Sequence, residues 1–297
     1  NNLLSIKQQQ SNMEREFELF LREKRYVQNV SEHTIEFYHY SFKALNKYSL
    51  IKSVADISKA NLTDMISNMR QQGMSASCTD ARIRGINPFL TWLYENEYTS
   101  EHFKIKRMKF QKRVLKTFDD TQVKTILNYK PKNFYELRLH TLLLLLLDCG
   151  IRINEALTLR RSQIDLDNLL ITVIGKGNKE RVIPFSLELR KVIFKFLKSH
   201  KFELVFTNRQ GTKLGFNNIR RDFNNLIEKL GIVGFDGTFH AFRRCFARNF
   251  VRNGGNLFYL QRMLGHTSLK MSREYVELLT EDIQKEQQRT SILKMIK

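Results

Sequence analysis

Cysteine is scarce in this chain: Cys78, Cys149 and Cys245 are the only three among 297 residues. They form no CxxC pair and no Cys/His ligand spacing, so neither a disulfide framework nor a zinc site is indicated, and a reducing cytoplasm suits them best. Long apolar runs are missing as well. The leucine run from Leu142 to Leu147 is far shorter than the roughly 20 residues that span a bilayer, and it reads as a buried helix rather than a membrane anchor. No signal peptide opens the chain, although it begins at Asn1 without methionine, which leaves room for an upstream segment. The nucleotide-cradling pattern GxxxxGK[ST] does not occur either, so the glycines near Lys176 are not read as a P-loop.

Acidic residues are in deficit, and this is the first positive signal. Fifty Lys and Arg against 30 Asp and Glu give a formal charge of +20 and a pI near 9.9. Such a balance points to a polyanion, most simply nucleic acid, because basic side chains gain free energy by releasing counterions condensed on phosphates. The charge is unevenly spread. Residues 1–103 carry 12 basic and 12 acidic residues, whereas KIKRMKFQKRVLK, residues 104–116, has seven basic residues and no acid. The chain from Thr117 onward holds 31 basic against 18 acidic residues.

The length suggests two domains, each able to bury a core. Residues 1–103 read as four short helices in a bundle. A capping-box pattern runs from Ser11 to Glu14, with Phe17, Phe20 and Leu21 on one stripe; Ser31 is the N-cap of a second helix carrying Ile35, Tyr38, Phe42 and Leu45. Asn61 to Gln71 and Thr79 to Asn96 supply two more, with Pro88 either kinking the last or marking its true start, and Phe89, Trp92 and Tyr94 assigned to the core. Residues 104–116 form a basic linker, which self-repulsion extends until a duplex neutralises it; Lys104, Lys106, Arg107, Lys109, Lys112 and Arg113 are its candidate DNA contacts.

The second domain, 117–297, is mainly helical with a small β-hairpin. TFDD resembles a capping box ahead of Val123, Ile126 and Leu127; a long apolar helix follows and stops at Gly150. Leu169 to Ile174 and Glu180 to Phe185 are the clearest strand pair, with GKGN between them, which puts Lys176 at the turn and Lys179 close by. Arg220 and Arg221 on a later helix either contact phosphates or solvate a surface. His240 and Arg243 share a helix face by their three-residue spacing, and Arg244, Arg248 and Arg252 form another stripe, phosphate-facing or solvated. Gly265 ends a short helix and leaves His266 just outside it.

These polar signatures converge on one kind of chemistry. Tyr275, nine residues beyond His266, is a poor nucleophile at neutral pH because its hydroxyl titrates near a pKa of about 10, so it requires cations and donors around the reacting group. Arg152 in GIRINEAL, Lys176 in GKGNKER, His240 and Arg243 in HAFR, and His266 in LGH supply that kind of cluster. Guanidinium forks suit the spread negative charge of a phosphodiester transition state.

In this order and spacing the motifs make the whole chain resemble the tyrosine recombinases of the phage-integrase family. The resemblance implies a SAM-like helical core-binding domain that clamps the duplex, joined to a catalytic domain. It implies that Tyr275 attacks the scissile phosphate, that Arg152 and Arg243 hold its nonbridging oxygens and that His266 donates a further hydrogen bond. It further implies that His240 accepts or relays the tyrosine proton and that Lys176, with Lys179 as competitor, protonates the leaving 5′ oxygen; Glu155, three residues beyond Arg152, is read from its spacing as the carboxylate that anchors that arginine from behind. The family exchanges strands through a 3′-phosphotyrosyl intermediate and a Holliday junction, needing neither metal nor cofactor. It implies double-stranded DNA with specific core sites as partner, accessory DNA-bending or directionality factors, and a homotetramer linked by a C-terminal tail, here about residues 280–297. The segment from Arg243 to Leu278 looks closer to integrases of phages and transposons than to Xer-type resolvases of chromosome or plasmid dimers. Two other classes stay open: a noncatalytic helix-turn-helix regulator and a type IB topoisomerase.

Overall fold

A computed structural model of the chain describes residues 13–110, 117–175, 179–234 and 238–265. It divides into two compact units, Asn1–Arg113 and Val114–Lys297. The Ser11 capping box, Lys112, Arg113, Lys176, His266, Tyr275 and the C-terminal tail lie outside the described residues.

Four helices build the first unit: α1 (Met13–Tyr26), α2 (Glu32–Tyr48), α3 (Lys59–Gln71) and α4 (Ala76–Glu95). Ser31, Ser58 and Ser75 each cap a helix N-terminus by accepting a backbone N–H, which satisfies a donor the helix itself cannot. The apolar stripes meet in an aromatic core, where Phe17 and Phe42 stack with ring centroids 3.9 Å apart and Phe89 meets both edge-on. Trp92 is buried there, with its indole N–H donated to Glu23 at 2.6 Å. Tyr94 departs from expectation: its position on α4 faces outward, and its half-exposed ring stacks on His102. Pro88 neither starts nor ends α4, which runs unbroken from Ala76.

The stretch read as a linker begins as part of this unit. Ile105 is buried in the aromatic core, and Asn87 holds its backbone at both N–H and C=O. Arg107 grips the buried carboxylate of Asp80 with two nitrogens, at 2.6 and 2.9 Å, while Met108 N–H donates to the same group. Residues 105–108 are thus docked on the first unit rather than free, because an apolar side chain and a buried acid outweigh the mutual repulsion of the cations. Lys104, Lys106 and Lys109 remain exposed.

The second unit contains α5 (Asp120–Leu127), α6 (Phe134–Cys149), α7 (Ile153–Leu157), α8 (Leu187–Lys198), α9 (Phe216–Lys229), α10 (His240–Arg252) and α11 (Leu257–Leu264). The capping box ahead of α5 is formed by Asp119 and Gln122, whereas the Thr117 hydroxyl donates to Ala241 O. The leucine run makes α6 the central helix, with Leu142, Leu143, Leu145 and Leu146 buried. A three-stranded antiparallel sheet, β1 (Ile164–Asp165), β2 (Leu170–Ile174) and β3 (Glu180–Pro184), pairs Ile171 with Ile183 and Val173 with Arg181. β1 is too short to have left a periodic signal.

Close packing of α2 against α4 depends on Gly85. A Cβ there would lie 2.1 Å from Ser41 Oγ and 2.6 Å from Ser41 Cβ. Alanine gains about 1 kcal/mol of helix propensity over glycine, but overpacking a core costs about 1–3 kcal/mol and Ser41 Cβ cannot rotate away. Gly85→Ala is therefore expected to destabilise the first unit. Fluorescence of Trp92, the sole tryptophan of the chain and a member of this core, should show a lower urea midpoint; an unchanged or raised midpoint would contradict the packing argument.

Candidate active site

The C-terminus of α6 sets the geometry. Gly150 caps it in the left-handed conformation, φ 60°, and the chain then turns directly into α7 with Arg152 at its N-cap. Glu155 sits three residues on, and its buried carboxylate accepts from Arg152 N–H at 2.8 Å and from Arg152 Nη1 at 2.9 Å. A second arginine completes the arrangement from β3: Arg181 donates Nη1 and Nη2 to the two oxygens of Glu155 at 2.9 and 2.7 Å, and its Nε to Met263 O at 2.8 Å. Burial alone would raise the pKa of Glu155. The hydrogen bonds from Arg181 and from Arg152 N–H outweigh it and leave the net shift downward. Its contribution to stability is therefore fully present above the ordinary carboxylate range and is lost as pH falls through the depressed value.

Arg243, on α10, is buried and points to the same loop. Its Nη1 donates to Gly150 O at 2.8 Å and its Nη2 to Leu264 O. Two guanidiniums thus take up the carbonyls of Met263 and Leu264 at the end of α11, just before the left-handed cap Gly265, φ 63°. Such carbonyls have no partner within their own helix. The loop carrying Arg152 and the turn leading to His266 are consequently fastened to one another through Arg243.

Among the sequence-derived candidates, the structure brings Arg152, Glu155 and Arg243 to this loop, and His240 lies one turn ahead of Arg243 as the exposed first residue of α10. Lys179 is exposed at the start of the returning strand, where its carbonyl accepts from Gly175 N–H. Arg220 and Arg221 are exposed on α9, and Arg244 is half-buried. Arg248 and Arg252 are not simply a solvated stripe: both pair with Asp120 at the start of α5, at 3.5 and 2.8 Å. Arg107 is committed to Asp80, although its outer face remains open.

Arg181 was not among the candidates, yet its signal was present. Ile183 and Phe185 mark the inward face of ERVIPF, and the two-residue period puts Arg181 on that face. A charged residue at an inward strand position calls for a buried partner.

A model of the phage integrase family matches residues 116–282. This chain belongs to that family of tyrosine recombinases. The tyrosine recombinase XerC of Rickettsia bellii (strain RML369-C) is 30% identical over 88% of this chain and 92% of its own length, and that of Rickettsia canadensis (strain McKiel) is 30% identical over 84% of each. Among solved structures, the XerH site-specific recombinase bound to a palindromic difH substrate superposes with a TM-score of 0.73 at 20% identity, covering 92% of this chain and 83% of that one. The Tn1549 transposon integrase in complex with circular intermediate DNA gives 0.74 at 17% identity, covering 88% and 94%. A lambda integrase dimer bound to a core site gives 0.74 at 16%, covering 89% and 77%. The mainly helical fold with its small sheet is the fold of these recombinases.

Gly150 permits the turn on which the arginines converge, and two effects require glycine there. A left-handed backbone costs other L-residues about 1–2 kcal/mol. A Cβ would also fall 2.3 Å from the Phe246 ring. Gly150→Ala should lower the unfolding midpoint of the second unit through both effects. Gly150→Asn, which tolerates the backbone, should recover only the backbone share, and recovery to wild-type stability in a thermal melt would show that Phe246 yields without cost.

Proposed function

We propose that this chain is a site-specific DNA recombinase in which Tyr275 is the nucleophile. The observation that supports the reading is the fastening of the Gly150–Arg152 loop to the end of α11 by buried Arg243, which brings the Arg243 guanidinium to the loop that carries Arg152. Together Arg152 and Arg243 neutralise the nonbridging oxygens of a scissile phosphate, electrostatic work that is most effective when the donors are positioned beforehand. Tyr275 Oη forms the bond to phosphorus while the bond to the 5′ oxygen breaks; His240 takes up the tyrosine proton, His266 donates to a phosphate oxygen, and Lys176 protonates the departing oxygen. The product is a 3′-phosphotyrosyl link and a free 5′ hydroxyl. Attack by a partner strand reverses the chemistry at nearly equal free energy and leads through a Holliday junction. No ATP or metal is drawn on in this scheme.

On this reading the first unit is the core-binding domain and the second the catalytic one. Lys104, Lys106, Lys109, Lys112, Arg113, Lys179, Arg220, Arg221 and Arg244 supply phosphate contacts, and the tail from about residue 280 links four copies on paired sites. Integration or transposition of a mobile element is the role that the segment from Arg243 onward resembles. The XerC relatives at 30% identity favour a second role, resolution of chromosome or plasmid dimers by the same chemistry. Mapping covalent complexes on mobile-element ends and on chromosomal resolution sites separates the two. A noncatalytic helix-turn-helix regulator has no need of Arg152, Lys176, His240 and Arg243 together in these motifs.

Two experiments test the chemistry. Tyr275→Phe should keep DNA binding and abolish the covalent adduct on a nicked suicide duplex, and peptide mapping of the wild-type adduct should place it on Tyr275; an adduct on exposed Tyr259 would overturn the assignment. Lys176→Ala should block cleavage of a normal phosphate yet cleave a 5′-phosphorothiolate, whose leaving group needs no proton. Rescue of Lys179→Ala in place of Lys176→Ala would transfer the acid role to Lys179.

A further inference from the structure

Arg181 closes the GKGNKER motif but was assigned no role in the reaction, and its side chain reaches two other elements of the site's framework. It starts on β3, the strand that returns from the Lys176 turn, and sits opposite Val173 on the buried face of the sheet. Both of its terminal nitrogens are given to Glu155 and its Nε to Met263 O, so one guanidinium ties the hairpin, the start of α7 and the end of α11 together. Its stem packs against Gly265, where an added Cβ would come within 3.2 Å of Arg181 Cδ.

The exposures are graded. Glu155 is 5% exposed in its side chain, Arg181 11%, and Arg152 36%. The carboxylate is therefore innermost, Arg181 covers it, and Arg152 reaches outward. One carboxylate between two guanidiniums has a net charge of +1, and the outer arginine presents it. Remove Arg181 and the remaining pair is neutral: a buried carboxylate with no other cation would claim Arg152, weakening its field and turning its fork inward.

We propose that Arg181 is a positioning residue for strand cleavage, saturating Glu155 so that Arg152 keeps its charge for the phosphate while bracing the peptide that leads to His266. The proposal rests on the reading that Arg152 contacts the scissile phosphate.

The test uses the full chain on a nicked suicide duplex under single-turnover conditions, with affinity for the uncleaved duplex and the urea midpoint measured alongside. Arg181→Met should slow adduct formation by about a hundredfold, the size of effect that a small misplacement of a reacting group produces, while duplex affinity stays within about threefold. Glu155→Gln, nearly isosteric and leaving both cations, should slow it by less. The double variant Arg181→Met with Glu155→Gln restores the net +1 and should be at least about tenfold faster than Arg181→Met alone. A merely structural role gives the opposite order, because the double variant has lost more bonds. Arg181→Lys, which keeps the charge without the fork, should fall between wild type and Arg181→Met, and it replaces Arg181→Met in the comparison with Glu155→Gln if the methionine variant does not fold. A double variant no faster than Arg181→Met, or an Arg181→Lys variant as slow as Arg181→Met, overturns the proposal. Arg152→Ala separates the two levels: wild-type cleavage there refutes the role of Arg152 itself, whereas loss of cleavage with normal Arg181→Met refutes only the role given to Arg181.

Discussion

Burying the carboxylate of Glu155 imposes a condition that the rest of the site answers. A buried charge is tolerated only when it is paired and its lone pairs are occupied. Four donors meet that need, two from Arg152 and two from Arg181, and they come from different elements: the N-terminus of α7 and strand β3. Satisfying one acid therefore fixes the sheet against the α6–α7 turn. The same guanidinium of Arg181 then reaches Met263 O, so the end of α11 is drawn into the arrangement.

A parallel device operates at Arg243, where a buried side chain spans the loop after α6 and the end of α11 by bonding Gly150 O and Leu264 O. Helix ends are good places for such ties because their last carbonyls have no intrahelical partner. Left-handed glycines at both ends, Gly150 and Gly265, let the chain turn sharply enough to bring those carbonyls within reach of the two arginines. The consequence is a frame whose polar parts are interlocked by side chains from several elements.

Charge serves two purposes in this chain, and burial separates them. Arg107 and Arg252 are paired with Asp80 and Asp120, and Arg138 is buried with Thr207 O and Asp222 as partners. These cations hold structure together. Lys104, Lys106, Lys109, Arg220 and Arg221 are exposed and contribute to the basic excess that suits a polyanion. A count of Lys and Arg alone merges the two groups.

The sequence by itself determined the four helices of the first unit, the caps at Ser31 and Gly150 and the β2–β3 strand pair, because each rests on local physics. Stripes at helical spacing locate α1 to α4, Ser31 and Gly150 have the side chain or the backbone freedom that ends a helix, and β-branched residues mark β2. It also placed Arg152, Glu155, His240 and Arg243 in their local settings, since three-residue spacing on a helix is a short-range property. Only the tertiary structure decided which partners those residues take. That Arg181 meets Glu155 across 26 positions, that Arg243 reaches Gly150 across 93, and that residues 105–108 dock on α4 instead of standing free depend on how distant elements pack. Tyr94 turned out exposed for the same reason: helical period assigns faces, but packing decides which face is covered. Local pattern carries no information about which distant group fills a donor or covers a face, and in this chain those long-range pairings are what turn separate motifs into one frame.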